Sequence, residues 1–373
     1  MISIEKLLQY HCVDPNNKEI ALTIIEVMAG SGDIDGAFEF LTSFDCKQNN
    51  DYRFKAWHAH LYMAQLKFEK AICIYESMFE NGIDNESLKI NCAYAQLHCG
   101  RHTSALELLN ECSSENLEYH ILKVRCMSSQ EDLSEAIKIL TSLDCSFSSE
   151  KLKSEKMGLL SLLYLDDANY SKAKCCAKES LMIDNSNFDA KLVMSTLDLF
   201  RMDIAKATLN IDMLYEEYSN VGRVIVLKAL LEMYSNNIEL AVDLYEKACD
   251  FMPFHVGSKI NLAWCYFLEG NLISAENKFK ESIELDENFA EGYGGMSLVM
   301  AKQGLWQDSK KMSKIALRLD GMCASALFSR ALYLKNIGKG NESQLIINGL
   351  VAFSSETTDK TIKDIVLERI NTG

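Results

Sequence analysis

The residues whose types and spacing come nearest to chemistry are Cys92, His98, Cys99 and His102. Two histidines four apart share one face of a helix, an arrangement that suits zinc. Gly100 and Arg101 fall between them, and a glycine there reads as a turn, so the helix that would align the pair is interrupted. The expectation is no metal site. His58 and His60 are two apart and face different sides of a helix. Gly294-Gly295 could present backbone N–H groups to a phosphate. It lacks the G-x-x-x-x-G-K-(S/T) frame, and a close approach of two helices explains it better. Neither H-E-x-x-H nor G-x-S-x-G occurs. No catalytic residue and no cofactor is therefore expected, and an enzyme with an unrecognised site is the least favoured reading. One charged constellation is left: Lys310, Lys311, Lys314 and Arg318. It would either dock an acidic partner or be the solvated face of an outer helix.

The chain has 373 residues and a net charge of −15. Such an acidic chain is repelled by nucleic-acid backbones, so no nucleic-acid partner is expected. Hydrophobic residues make up 48%, enough for a continuous core. No apolar run approaches the roughly 20 residues that cross a bilayer. Met1 to Cys12 carries Glu5 and Lys6 within a short apolar pattern and does not read as a secretory signal. The thirteen cysteines are scattered, odd in number and without a C-x-x-C. That usage suits a reducing compartment, with Cys as a small apolar filler, and a cytoplasmic location is expected.

The elements that would position any site follow a period. A small residue returns as Ala37, Ala71, Ala105, Ala136, Ala173, Ala207, Ala241, Ala275, Ser309 and Ser343. The gaps are 34, except for one of 31 followed by one of 37. Twelve residues earlier stands another small residue: Ala59, Ala93, Ser161, Ser195, Ala229, Ala263, Ser297 and Ala331. Four residues later a large apolar one often follows, such as Tyr75, Tyr245 and Phe279, and five residues earlier Gly recurs at 32, 100, 270, 304 and 338. Each unit thus has two apolar stretches at helical spacing joined by a Gly or Asn turn. Neither helix can bury its face alone, so the units must stack.

This pattern resembles the tetratricopeptide repeat. Residues 256–289 carry it as Leu262-Ala263, Tyr266, Gly270, Ala275 and Phe279, and residues 222–255 as Ala229, Ala241, Tyr245, Ala248 and Pro253. The opening Trp is absent throughout, and the closing Pro survives only as Pro253. The resemblance implies an all-α, right-handed α-solenoid of about ten helix-turn-helix repeats. These are expected at 18–51, 52–85, 86–116, 117–153, 154–187, 188–221, 222–255, 256–289, 290–323 and 324–357. A capping helix is expected at 1–17 and another at 358–373. The shifted fourth unit should alter the local curvature unless its loops absorb the change.

The resemblance also implies a concave groove lined by positions two, five, nine, twelve and thirteen of each unit. Carried over, these positions give a partner-binding stripe of Tyr94, Leu162, Phe200, Leu230, Tyr234, Ile260, Trp264, Phe267 and Phe328. An exposed apolar stripe marks an interaction site; the alternative is that these residues pack on one another as core. Residues 223–268, with Tyr234, Trp264 and Phe267, are the expected centre. Asn91 and Asn261 fall where some family members clamp a partner's C-terminal carboxylate, but the Lys and Arg that complete the clamp are missing. Bacterial peptide-pheromone receptors share the architecture and add an N-terminal domain, for which 17 residues leave no room. The expected function is a non-enzymatic scaffold or adaptor that binds a protein or peptide with apolar anchors. The alternative is a chaperone-like escort for a secreted or assembly subunit.

Overall fold

The structure is a computed structural model that describes residues 3–45, 51–114, 116–127, 133–145, 148–201 and 203–356. Among the described residues it contains twenty-one α-helices and no strand. The helices are α1 (Ile4–Val13), α2 (Lys18–Gly30), α3 (Ile34–Asp45), α4 (Tyr52–Ala64), α5 (Phe68–Glu80), α6 (Glu86–His98), α7 (His102–Asn110), α8 (Leu117–Cys126), α9 (Leu133–Ser142) and α10 (Glu150–Asp166). They continue as α11 (Tyr170–Ile183), α12 (Phe188–Phe200), α13 (Ile204–Glu217), α14 (Gly222–Tyr234), α15 (Ile238–Phe251), α16 (Val256–Glu269), α17 (Leu272–Leu285), α18 (Ala290–Lys302), α19 (Trp306–Leu319), α20 (Ala324–Asn336) and α21 (Gly340–Glu356). The chain divides into two compact units, residues 1–168 and 169–373. The division falls inside the 37-residue gap between Ala136 and Ala173, where the 34-residue period is interrupted.

The repeating small residues sit at helix–helix contacts. All ten from Ala37 to Ser343 are buried, and so are the eight that precede them by twelve residues. A small side chain at both facing positions lets two backbones approach, and a large neighbour then fills the remaining space to crystal-like density. Tyr75, Tyr245 and Phe279 are such fillers, each fully buried. The serines that replace alanine hide their hydroxyls in the helix itself: Ser161 donates to Gly158 O at 2.6 Å and Ser297 to Gly294 O at 2.6 Å. Ser309 and Ser329 share a hydrogen bond of 2.9 Å between α19 and α20. Gly294 and Gly295 are buried in α18 for a steric reason. A Cβ on Gly295 would lie 2.2 Å from the Phe279 ring, and one on Gly294 would lie 2.1 Å from Ser325 Oγ.

Eight of the turns from first to second helix pass through one residue with positive φ among the described residues. Gly fills this place at 32, 100, 270, 304 and 338, with φ from +74 to +88°. In other repeats the same place is taken by Leu66 (φ 58°), Ala168 (φ 54°) and Asn236 (φ 70°). A residue with a Cβ is strained there, by about 1–2 kcal/mol. The turn geometry is thus kept even where glycine is lost.

Helix starts are capped by side chains of the expected kind. Asn17, Asn85, Asn116, Ser149 and Asn187 each accept a hydrogen bond from the backbone N–H three residues on. The first of these ends the break after α1, which packs on α2 through the buried Leu7. Helix α10 begins at Glu150, four residues before the fifth unit's expected start, and runs for 17 residues. The altered turn expected around Cys145–Glu150 includes residues 146 and 147, which lie outside the described residues, as does the capping helix expected at 358–373.

Candidate functional site

In the compact unit 1–168, α2 and α4 border an open recess of about 360 Å3 lined by Leu22, Tyr52, Arg53, Ala56, Trp57 and His60. Asp51 places its rim. Its carboxylate caps α4 by accepting from Arg53 N at 3.1 Å and pairs with the Arg53 guanidinium at 2.8 Å. Those hydrogen bonds outweigh burial and hold the Asp51 carboxyl below its ordinary value. Glu19 on α2 binds the same guanidinium at 2.8 Å, so the cation is fixed between the two first helices. His60 forms a wall, with its ring 5.7 Å from Trp57 and 6.2 Å from Tyr75. Burial lowers the His60 pKa and so favours the neutral imidazole. The result is an aromatic-walled recess with one oriented guanidinium at its mouth. Its lining is mostly apolar, and none of the residues that line it pairs a nucleophile with a base.

This recess was missed in the sequence, although the signal was present. Arg53, Ala56 and His60 occupy positions two, five and nine of the unit 52–85, and Leu22 occupies position five of 18–51. The same frame that gave Tyr94 leads to them.

Tyr94 on α6 is 43% exposed. It forms a surface aromatic cluster with Phe68, at 6.4 Å, and His98, at 4.6 Å, while Phe68 and His98 stack at 4.5 Å and 8°. Burial and the nearby Arg125 lower the His98 pKa. His98 ends α6 and His102 begins α7, separated by Gly100 at φ +74°, so the two do not share a helix. No group of three or more metal-ligating side chains occurs among the described residues. Burial pushes the Cys92 thiol up to about 12 and the Cys265 thiol to about 12, which makes both poor nucleophiles.

The remaining stripe residues divide by depth. Leu162 on α10 is half-buried. In the second unit Phe200 and Tyr234 are half-buried, and Phe200 meets Tyr170 edge-on at 5.8 Å. Trp264 and Phe267, the expected anchors, are only 2% and 7% exposed. Leu230, Ile260 and Phe328 are buried as well. Trp264 packs edge-on against Phe267 at 5.6 Å and against Phe279 at 5.1 Å. The cause is the close stacking that Ala263, Ala275 and Gly295 permit: it draws the first-helix side chains of neighbouring repeats into one core. These five residues present little surface in this conformation, and the centre expected at 223–268 is largely interior. On α19, Lys310, Lys311, Lys314 and Arg318 are all exposed. Lys311 pairs with Asp308 at 3.1 Å, and the Lys310 ammonium lies 5.0 Å from the centre of the Tyr333 ring.

No family model matches the sequence, and no curated protein does. Among solved structures, the chain is similar to one from the APC/C hetero-tetramer Cut9-Hcn1, with a TM-score of 0.55 and 12% identity over 94% of this chain and 82% of that one. Pseudomonas aeruginosa pilF gives 0.44 and 16% over 60% of this chain and 98% of that one. Yeast Tom70 gives 0.41 and 14% over 89% and 85%. The last two scores carry no argument. The first, with the twenty-one helices, shows the fold: an all-α solenoid array of tetratricopeptide type. No helix among the described residues is long and apolar enough to cross a membrane.

Proposed function

We propose that this tetratricopeptide-type array is a non-enzymatic adaptor of the cytoplasm that holds an apolar segment of a partner protein on its first-helix face. The observation that carries the reading is the recess of Leu22, Tyr52, Ala56, Trp57 and His60 in the compact unit 1–168. It is built from first-helix positions and walled by rigid aromatic rings, and such rings lose little side-chain entropy on binding. The cluster of exposed Tyr94 and His98 on half-buried Phe68 adds a second aromatic foothold on the same compact unit. Cut9, of the same fold, is held in a hetero-tetramer with Hcn1, and assembly is the use assigned here as well. The thirteen cysteines, with no C-x-x-C among them, support the compartment. A second contact, for an acidic segment, is assigned to Lys310, Lys311, Lys314 and Arg318.

Affinity capture from the native cell, with mass spectrometry of the retained proteins, tests the reading. Stoichiometric recovery of folded assembly components is the expected result. Recovery of one unfolded client would favour the escort instead. Turnover of a small molecule by the purified protein would overturn the adaptor.

A further inference from the structure

The last described repeats carry the inverse of the chain's overall charge. Residues 302–340 hold eight Lys and Arg against two Asp, a net of +6 in a chain of −15. All eight cations are exposed. Only Lys311, with Asp308, and Lys339, with Glu342, form an ion pair among the described residues.

The repeat itself shows what belongs opposite these cations. Helices α13 and α14 have the same bounds as α19 and α20 after a shift of 102 residues, three repeats. In the earlier pair, Asp212 on α13 binds Lys228 on α14 at 2.6 Å, and Glu232 binds the same ammonium. Shifted by 102, Lys228 becomes Arg330, Asp212 becomes Lys314 and Glu232 becomes Leu334. Glu216 likewise becomes Arg318. The packing in between is kept: α19 lies on α20, and Lys310 reaches Tyr333 across the same antiparallel seam at 3.4 Å. A cation therefore remains on α20, and the carboxylates that would answer it have become a second cation and an apolar residue. At the two intervening repeats the counterparts of Lys228 are Leu262 and Met296, so no charge needs answering there.

We propose that the seam between α19 and α20, at Lys314 and Arg330 with Lys310 and Arg318 beside them, receives the side-chain carboxylates of an acidic segment of a partner protein. The inference rests on the adaptor reading and adds the chemistry of its second contact. A carboxylate is the group that this seam holds three repeats earlier, and it fits between cations that no residue of the described chain neutralises. A polynucleotide would bring a similar charge, but its long backbone would also meet the excess of acidic residues elsewhere on the chain.

The test is fluorescence anisotropy of labelled peptides with Glu or Asp at helical spacing, against the full-length protein at low and at physiological salt. Matched Gln and Asn peptides and a single-stranded oligonucleotide are the controls. Acidic peptides are expected to bind, with affinity falling as salt rises, and the neutral peptides are not. Lys314→Asp places the carboxylate in cis, as in the Asp212–Lys228 pair. It should lower affinity by about tenfold or more while the melting temperature holds or rises, and Arg330→Glu should lower affinity similarly. Wild-type affinity of the Lys314→Asp protein, equal binding of the neutral peptides, or tighter binding of the oligonucleotide than of any peptide would overturn the proposal. So would the absence of binding by any acidic peptide. A captured partner that is lost on Tyr94→Ala but retained by Lys314→Asp and Arg330→Glu would overturn this inference and leave the adaptor reading standing.

Discussion

His60 combines structure and function in a single side chain. It walls the recess between α2 and α4, and burial lowers its pKa below the ordinary 6.5. The unfolded chain therefore takes up a proton at a higher pH than the folded one does. Stability from the neutral, buried imidazole is full above pH 6.5 and is lost as pH falls toward and through the lowered folded value. Urea melts of the wild type should weaken as pH falls below about 6.5, and His60→Gln, which has no such proton, should flatten that part of the profile. An unchanged slope in the variant would show that another group sets it. Trp264 teaches the opposite lesson about single residues. Its type and position mark it as an anchor in the sequence, yet it is interior, because depth depends on Phe279 and Gly295 in the neighbouring helices. A period of 34 assigns a side chain to a face. It does not say how near the next repeat comes.

At the scale of the element, two substitutions test why the helices pack and turn as they do. Replacing Gly by Ala inside a helix normally stabilises by about 0.5–1 kcal/mol. Gly295→Ala should do the reverse, because its Cβ would lie 2.2 Å from the fully buried Phe279 ring. The expected cost is about 1–3 kcal/mol, as for other overpacked cores, and a gain in thermal stability would contradict the packing described. Leu66→Gly should act in the other direction. Leu66 holds φ at 58° and is exposed, so glycine relieves strain without giving up burial. Strain relief of about 1–2 kcal/mol, less the chain entropy of glycine, leaves a gain of up to about 1 kcal/mol, readable as a higher urea midpoint. These turns were legible in the sequence where glycine marks them. Leu66 and Ala168 were not, since nothing in a leucine or an alanine signals a left-handed backbone.

For the molecule as a whole, the fold followed from the spacing of small residues: a position buried in every repeat admits little else, and ten returns at one period leave one architecture. The recess was legible too, through positions two, five and nine, but its aromatic walls depend on Trp57 lying beside His60, which the frame does not single out. The division at residue 168 falls inside the 37-residue gap from Ala136 to Ala173, a break in the period that marks a shifted repeat but does not by itself mark a boundary. The claim that joins these observations is that exposed first-helix aromatics, and not chemistry, give the protein its use. The most direct measurement is the dissociation constant of a purified, captured partner for the wild type and for a Tyr52→Ala, Tyr94→Ala double variant. Both residues are exposed, so helical content and melting temperature should stay unchanged. Affinity should fall about 30-fold, the equivalent of about 2 kcal/mol at a binding hot spot. Equal affinity for the two proteins would contradict the account.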